Sequence, residues 1–407
     1  MDDFKVKLME KWKICTIGDQ ITLQRGVDIT QKNSQAGKIP VISSGGLSFF
    51  HDTAVDDGPG VIIGRKGSLG TVYWSAGPYW PHDTTLWVKD FKGNNRRFIY
   101  YFMKTLKTKN LDVGSSNPTL NRNHVHPISV IWPPLKEQES ISKTLSVLDD
   151  KIDLNRRTNE TLEAMARALF RDWFVDFGPT RAKMAGEAPY LAPKLWELFP
   201  DKLDEEGKPE GWQTESLDET ATFLNGLALQ KYPATGDTSL PAIKIAQLRS
   251  ESTDTADPVS PDIPDNYIVE QNDLLFSWSG SLLCKFWNGQ RGALNQHLFK
   301  VTSKRFEPWF IYEWIQFYMP EFQAIATAKA TTMGHIQRRH LTESLVTIPP
   351  ANIMQAANKA IGSLIVQIQS NNGQSRTLAQ LRDLLLPKLM SGEISIRDAE
   401  KMVEDAA

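Results

Sequence analysis

"SNPTLNRNHVHPISVIWPP" at residues 116–134 returns as "TMGHIQRRHLTESLVTIPP" at residues 332–350, with His124 and His340 in step and a Pro-Pro pair closing both. Working outward, "EKWKICTIGDQITLQRG" (10–26) is echoed by "EGWQTESLDETATFLNG" (210–226), with Trp12 and Trp212 aligned. The chain is a tandem duplication with a long period. The offset between copies grows from 200 to 216 residues, so the second copy carries about sixteen extra residues. The stretch 251–273, with seven Asp/Glu and no Lys or Arg, is the expected insertion zone.

After each Pro-Pro pair the period becomes helical. Ile141, Leu145, Leu148, Ile152, Asn155, Leu162 and Leu169, with Asn159 and Ala166 in register, step by 4 and 3 as a heptad seam does. Ile361, Leu364, Ile368, Asn371, Leu378 and Leu385 repeat that seam 216 residues later, with Arg382 in step with Ala166. A helix of about 40 residues is about 60 Å long, and its apolar seam must be covered. The two helices should therefore pair. The connector 179–211, rich in Pro, Gly and charge, lets the chain turn, so the pairing is expected to be antiparallel. Asn155 and Asn371 fall at matching seam positions. Either they are buried and specify alignment, or they mark where the seam opens to solvent. Gly373 and Pro387 should weaken the second helix, leaving its last turn before Leu389 kinked or lost.

Between these landmarks lie short β-branched or aromatic runs such as "GVIIGR", "TTLWVK", "DLLFSW" and "HLFKV", broken by Gly, Pro, Asn and Ser. They read as strands of mixed, mostly antiparallel sheets. "RRFIYYFMKTL" (96–106) and "EPWFIYEWIQFYM" (307–319) are helical, and their aromatic stripes are assigned to core packing rather than base stacking. The expected class is α+β: two tandem mixed α/β domains separated by two long helices in an antiparallel coiled coil, with an approximate two-fold axis. The segments are 1–134, first domain; 135–178, first helix; 179–211, connector; 212–350, second domain; 351–391, second helix; and 392–407, tail.

Composition excludes several classes. With 407 residues and 41% hydrophobic content the chain can build real cores. It shows no apolar leader and no membrane-spanning run, so the cytoplasm is the expected address and no membrane partner is foreseen. Cys15 and Cys284 are too few for a disulfide framework. The net charge of −2 hides a gradient: residues 1–134 hold 17 Lys+Arg against 11 Asp+Glu, and residues 212–350 hold 11 against 15. Charge alone supports a polyanion site in the first domain only.

"VIIGRKGSLGTVYW" (61–74) has the glycines of a phosphate loop but neither the G-x-x-x-x-G-K-[ST] nor the G-x-G-x-x-G spacing. It reads as a turn presenting Arg65, Lys66 and Ser68, with a solvated basic turn as the alternative. Arginine and lysine grip phosphates or pair with guanine edges. The polar loop 113–124 supplies Ser116, Asn117, Asn121, Arg122 and Asn123; the three asparagine amides have the geometry that reads adenine, and Arg122 suits a guanine or a phosphate. In the second copy the corresponding candidates are Ser279, Ser281 and Lys285 of "WSGSLLCKF", and His335, Gln337, Arg338 and Arg339. His82, Asp83, His124, His126 and His51 form no ligand motif and are assigned to loops and caps, with no metal site. No catalytic constellation is evident.

The order of a Trp-opened module, "GRKGSLG", "HDTTLWV", "SSNPTLNRNHVHPISVIWPPLKEQ", and a long helix ending "ARALFRDWFVDFGP", repeated once, resembles the specificity subunit of type I restriction-modification systems. The resemblance covers essentially the whole chain, closely in the first copy and more loosely in the second. It implies two target-recognition domains, each reading one half of a bipartite site in double-stranded DNA, and helices that space them and dock two modification (methyltransferase) subunits. It further implies a non-enzymatic chain without cofactor. S-adenosylmethionine would belong to the modification subunits, and ATP and Mg to restriction (translocase/nuclease) subunits. A methylation-only system and a protein-binding adaptor are the alternatives.

Overall fold

Thr16 and Ser216 open the two copies with the same local device. The Asp19 carboxylate accepts the Thr16 N–H at 2.8 Å, and the Glu219 carboxylate accepts the Ser216 N–H at 3.0 Å. Each capping box starts a one-turn helix, Ile17–Gln20 or Leu217–Thr220, directly after the first strand. The computed structural model describes residues 12–106, 119–236, 238–328 and 334–405. It divides into two compact units, Met1–Asp153 with Ser375–Ala407, and Leu154–Gln374. The units cut across the segments read from sequence, since each takes part of both long helices.

In the first unit Thr22–Arg25, Thr85–Asp90, Gly60–Gly64 and Val72–Ser75 form an antiparallel sheet in that order. A second sheet joins Gly46–His51, Ile39–Ser43 and Trp80–Pro81, the last pairing parallel. Lys13–Thr16 and Ser129–Trp132 close the copy as a ribbon. Asn95 caps helix Arg96–Thr105, its side chain accepting the Phe98 N–H at 2.9 Å. Phe98, Ile99, Phe102 and Met103 of that helix are buried against the sheet, so the aromatic stripe is core.

The second unit repeats the topology. Thr222–Asn225, Leu298–Thr302, Leu274–Ser277 and Cys284–Phe286 form the antiparallel sheet in the corresponding order, and Gln213–Ser216 pairs with Leu345–Ile348. Its second sheet gains an edge: Pro258–Val259, Leu240–Ile243, Gly292–Leu294 and Ile268–Val269. The stretch 251–273 is thus built into a sheet, burying Val259, Ile263 and Ile268. Four of its seven acids are paired as well. Glu251 pairs with Lys285, Asp257 with Lys244, Glu270 with Arg291, and Asp273 with Lys300.

The first long helix runs Leu135–Phe170 and continues as a π-helical turn, Arg171–Val175. Phe177, in the left-handed conformation at φ 54°, ends it. The second runs Ala351–Ala357, a π turn Asn358–Gly362, and Ser363–Met390. Pro387 lies inside this last helix, so of the two outcomes expected there, a kinked or a lost final turn, the loss does not occur. Leu385, Leu386 and Leu389 are buried there, and that burial holds the turn despite the missing N–H. Ile141, Leu145, Leu148, Leu378 and Leu385 are buried in the first unit, and Ile361 and Ile368 in the second, while Ile152, Leu162, Leu169 and Leu364 are partly covered.

Two further segments are more ordered than the sequence implied. The connector forms helices Gly178–Ala185 and Pro193–Trp196, and buries Phe199 against Trp173 at 5.4 Å. It belongs to the core of the second unit. After the second long helix, Ser395 caps helix Ile396–Glu404, which buries Ala399 and Val403 in the first unit.

The seam asparagines are buried, Asn155 to 4% exposure and Asn371 to 8%. Asn371 Nδ2 donates to Asn159 Oδ1 at 2.8 Å, Asn155 Nδ2 to Gln374 Oε1 at 2.9 Å, and Asn159 Nδ2 to Asn372 Oδ1 at 2.7 Å. Rising numbers on one helix meet falling numbers on the other, so the pairing is antiparallel, and the reading in which the seam opens to solvent fails. Asn371→Leu will cost about 1–3 kcal/mol, because the Asn159 carbonyl and the Gln367 amide lose their partner inside the seam. Urea unfolding checks this; an unchanged midpoint would mean that water replaces the amide there.

Candidate nucleic-acid interface

Strand Gly60–Gly64 delivers the chain into the turn "RKGSLG". A side chain at Gly64 would sit 2.1 Å from the Ser68 carbonyl oxygen, and Gly67 is left-handed at φ 73°, so both positions require glycine. The turn is closed by Gly70 N–H to Gly64 O at 2.9 Å and Thr71 Oγ1 to Ser68 O at 2.9 Å. The N–H groups of Arg65 and Lys66 both donate to Thr84 O, at 2.9 and 3.1 Å. These amides serve the protein's own backbone rather than cradling a phosphate.

Tertiary structure then joins the two candidate stretches of the first copy. Lys66 and Thr119 form an antiparallel bridge, and Leu120 N–H donates to Arg65 O at 2.9 Å. Asn121 caps the short helix Arg122–Val125, its Oδ1 accepting the Asn123 N–H at 3.0 Å. Lys66, Ser68, Asn121, Arg122 and Asn123 are all exposed. Ser116 and Asn117 lie outside the described residues.

Arg65 itself is half-buried, and burial followed by the neighbouring Arg25 lowers its pKa. Its Nη1 is buried and has no hydrogen-bond partner among the described residues. Beside it, Arg25 Nη2 pairs with Asp83 Oδ2 at 2.8 Å. Arg25 was not a candidate from sequence. Its signal lay in the repeat, where "ITLQRG" aligns with "ATFLNG" and places Arg25 opposite Asn225.

The second unit brings its stretches together in the same way. Ser279 and His335 form an antiparallel bridge, Gly280 N–H donates to Gly334 O at 2.8 Å, and Ile336 N–H to Trp278 O at 3.0 Å. The chemistry differs. Trp278 Nε1 donates to Asn225 Oδ1 at 3.0 Å, Arg338 Nη2 to Phe223 O at 3.1 Å, and the Arg338 guanidinium lies 5.7 Å from the centroid of the Phe299 ring. Asn225, Trp278, Phe299, His335, Gln337 and Arg338 line a cavity of about 350 Å³. Trp278 was likewise missed in the sequence, where aromatic residues default to core.

Two candidates are corrected. Ser279 is 2% exposed and its Oγ lies 2.9 Å from His297 Nδ1, so its hydroxyl serves packing. Lys285 is paired with Glu251 at 2.7 Å, which neutralises it on its strand. Ser281, Gln337, Arg338 and Arg339 are exposed and His335 is half-buried.

The histidines have local roles. His126 Nε2 accepts the Leu23 N–H at 3.0 Å, and burial lowers its pKa. His51 ends strand Gly46–His51 and is buried, its Nδ1 accepting the Gln35 N–H at 3.0 Å, which corrects its reading as loop. Asp28, His82 and Asp83 each bring a possible ligand atom within 4.8 Å of the others. His82 Nε2 is 3.1 Å from Ile29 O and Asp83 is held by Arg25, so hydrogen bonds and a cation already occupy the group.

Residues 9–164 match the family described as type I restriction modification DNA specificity domain. The type I restriction enzyme MjaIX specificity subunit of Methanocaldococcus jannaschii is 26% identical over 322 residues, covering 74% of this chain and 69% of that protein. The HindI specificity subunit of Haemophilus influenzae is 24% identical, covering 68% of this chain and 71% of its own length. A crystal structure of the type I restriction-modification S subunit from M. genitalium superposes with a TM-score of 0.55 at 15% identity, over 93% of this chain and 96% of that one, a likeness of fold. Residues 9–164 thus match a type I restriction modification DNA specificity domain, and the chain as a whole is similar to specificity subunits of type I restriction enzymes.

Proposed function

We propose that this chain is the non-catalytic DNA-reading subunit of a type I restriction-modification complex. Residues 12–134 and 212–350 each read one half of a bipartite duplex target, and the paired helices dock two methyltransferase subunits. The observation that carries this reading is the recurrence of one loop pair on one sheet topology in both units, with different side chains in the two copies. A shared scaffold with divergent loops is what two readers of unlike half-sites require.

Exposed Lys66, Arg122 and Arg339 supply the sequence-independent grip on phosphates, which weakens steeply with salt. The acids of 251–273 point away from DNA in this reading. Four of the seven are paired with lysine or arginine, which removes most of the repulsion the raw charge implies. Leu154 and Met165, exposed apolar residues on the first long helix, offer covered area to a docked subunit. Among the described residues no helix is long and apolar enough to cross a membrane, and the cytoplasm is the proposed site of action. S-adenosylmethionine, ATP and Mg are assigned to partner subunits. Methylation in the complex would be of adenine.

The test is a module exchange. Residues 12–134 are replaced by the corresponding module of another specificity subunit, and modified adenines are mapped in cells that also express the methyltransferase subunits. One half of the methylated sequence will change while the other half and the spacing persist. An unchanged motif would favour a protein adaptor, and methylation by the isolated chain would favour an enzyme.

A further inference from the structure

Arg25, Asp83 and Arg65 form a charged group on the loop-bearing edge of the first unit. Arg25 Nη2 and Asp83 Oδ2 are 2.8 Å apart, so the carboxylate orients that guanidinium. Arg65 lies close enough for both to perturb it, and its buried Nη1 has no acceptor among the described residues. A buried N–H of a charged group without an acceptor is unfavourable, and a ligand that brings one relieves the cost.

Two parts of a DNA duplex present acceptors that fit a guanidinium fork: a backbone phosphate and the O6/N7 edge of guanine. Asp83 separates them. A phosphate placed against this group would meet a carboxylate at close range, and the like-charge repulsion would offset what the arginines contribute. The guanine edge is neutral, and the cytosine paired with it presents an N4 amino group that a carboxylate accepts. Lys66 and Arg122 have no acid paired to them among the described residues, so they suit phosphates instead. In the second unit Asn225 occupies the strand position of Arg25, and Trp278 follows its strand as Arg65 does, so the guanidinium pair is specific to the first copy.

We propose that Arg25 and Arg65 read the guanine of a G·C pair in the half-site addressed by residues 12–134, with Asp83 as the positioning residue that holds Arg25. This rests on the DNA-reading function proposed above.

The test uses the full complex with its methyltransferase subunits and duplex oligonucleotides carrying the mapped site or single base-pair changes of it. The half-site that changes on module exchange should contain a G·C pair whose replacement by A·T weakens wild-type binding about 5- to 150-fold. Arg65→Ala should abolish that discrimination while other positions keep theirs. Arg65→Lys, which retains charge but not the fork, should lose discrimination similarly while holding affinity for the A·T variant, and so controls for folding. Lys66→Ala should weaken every duplex alike and reduce the salt slope by about one. Uniform weakening by Arg65→Ala with its discrimination intact, or a first half-site without G·C, overturns the proposal and leaves the DNA-reading function standing. Absence of any bipartite motif in the wild-type methylation map would overturn that function itself.

Discussion

Replacing Phe174 by alanine will lower the unfolding free energy of the second unit by about 3–5 kcal/mol, the range for deleting a fully buried aromatic ring. Phe174 is 0% exposed and sits in the π turn that ends the first long helix. Its ring stacks on Phe170 at 5.4 Å and meets Trp212, Trp309 and Phe310 at 5.8, 6.1 and 5.6 Å. Its carbonyl accepts the Thr347 hydroxyl at 2.7 Å. The ring therefore joins the helix end, the residue opening the second copy and the aromatic helix Pro308–Ala328, while the backbone carbonyl holds the closing ribbon. Nothing nearby can collapse into the space, because the neighbours are themselves rings held by several elements. Urea unfolding followed by tryptophan fluorescence reads the loss, with exposed Leu154→Ala as a control expected to stay within about 0.5 kcal/mol. A loss below about 1 kcal/mol would show that the aromatic cluster repacks and that Phe174 is not its centre.

Asp149→Ala will destabilise the first unit by about 3–5 kcal/mol. Arg382 occupies a heptad position where an apolar residue is expected, and Asp149 is what makes it tolerable there. Arg382 Nη1 donates to Asp149 Oδ1 at 2.7 Å, Tyr101 Oη donates to Asp149 Oδ2 at 2.7 Å, and Arg97 lies 3.7 Å from the same oxygen. The side chains of Asp149 and Arg382 are only 14% and 17% exposed, so water cannot replace the carboxylate freely. Removing it leaves a phenol without that acceptor and a shielded cation whose remaining partner, Asp383, is itself 61% exposed. Arg382→Met should cost less, since Asp149 keeps Tyr101 and Arg97 and the methionine packs with Leu378 and Leu385. Chemical denaturation of the two variants checks the order. Equal losses would assign the effect to packing rather than to charge.

Much of this architecture was legible because it is periodic. The steps from Ile141 to Leu169 and from Ile361 to Leu385 report which face of each helix is covered, and a duplication offset of 200 to 216 residues aligns the copies without any coordinates. The candidate interface was half legible. Arg65, Lys66, Asn121 and Arg338 stand out as polar residues on glycine-rich or loop-like stretches. Ser279 and Lys285 stand out equally, yet one is buried against His297 and the other is neutralised by Glu251. No local pattern distinguishes a free lysine from a paired one when its partner lies 34 residues away.

The sequence by itself determined the duplication, the two heptad helices and their antiparallel pairing, because these depend on side-chain order over a few residues and on the need to cover an apolar seam. Only the tertiary structure decided which loops meet, that Arg25 stands beside Asp83 and Arg65, that the seam asparagines are buried, and that the connector belongs to a core. Those outcomes depend on strand order and on contacts such as Arg25 with Asp83, 58 residues apart. Their energies are set where distant segments converge, and no stretch of chain carries them alone.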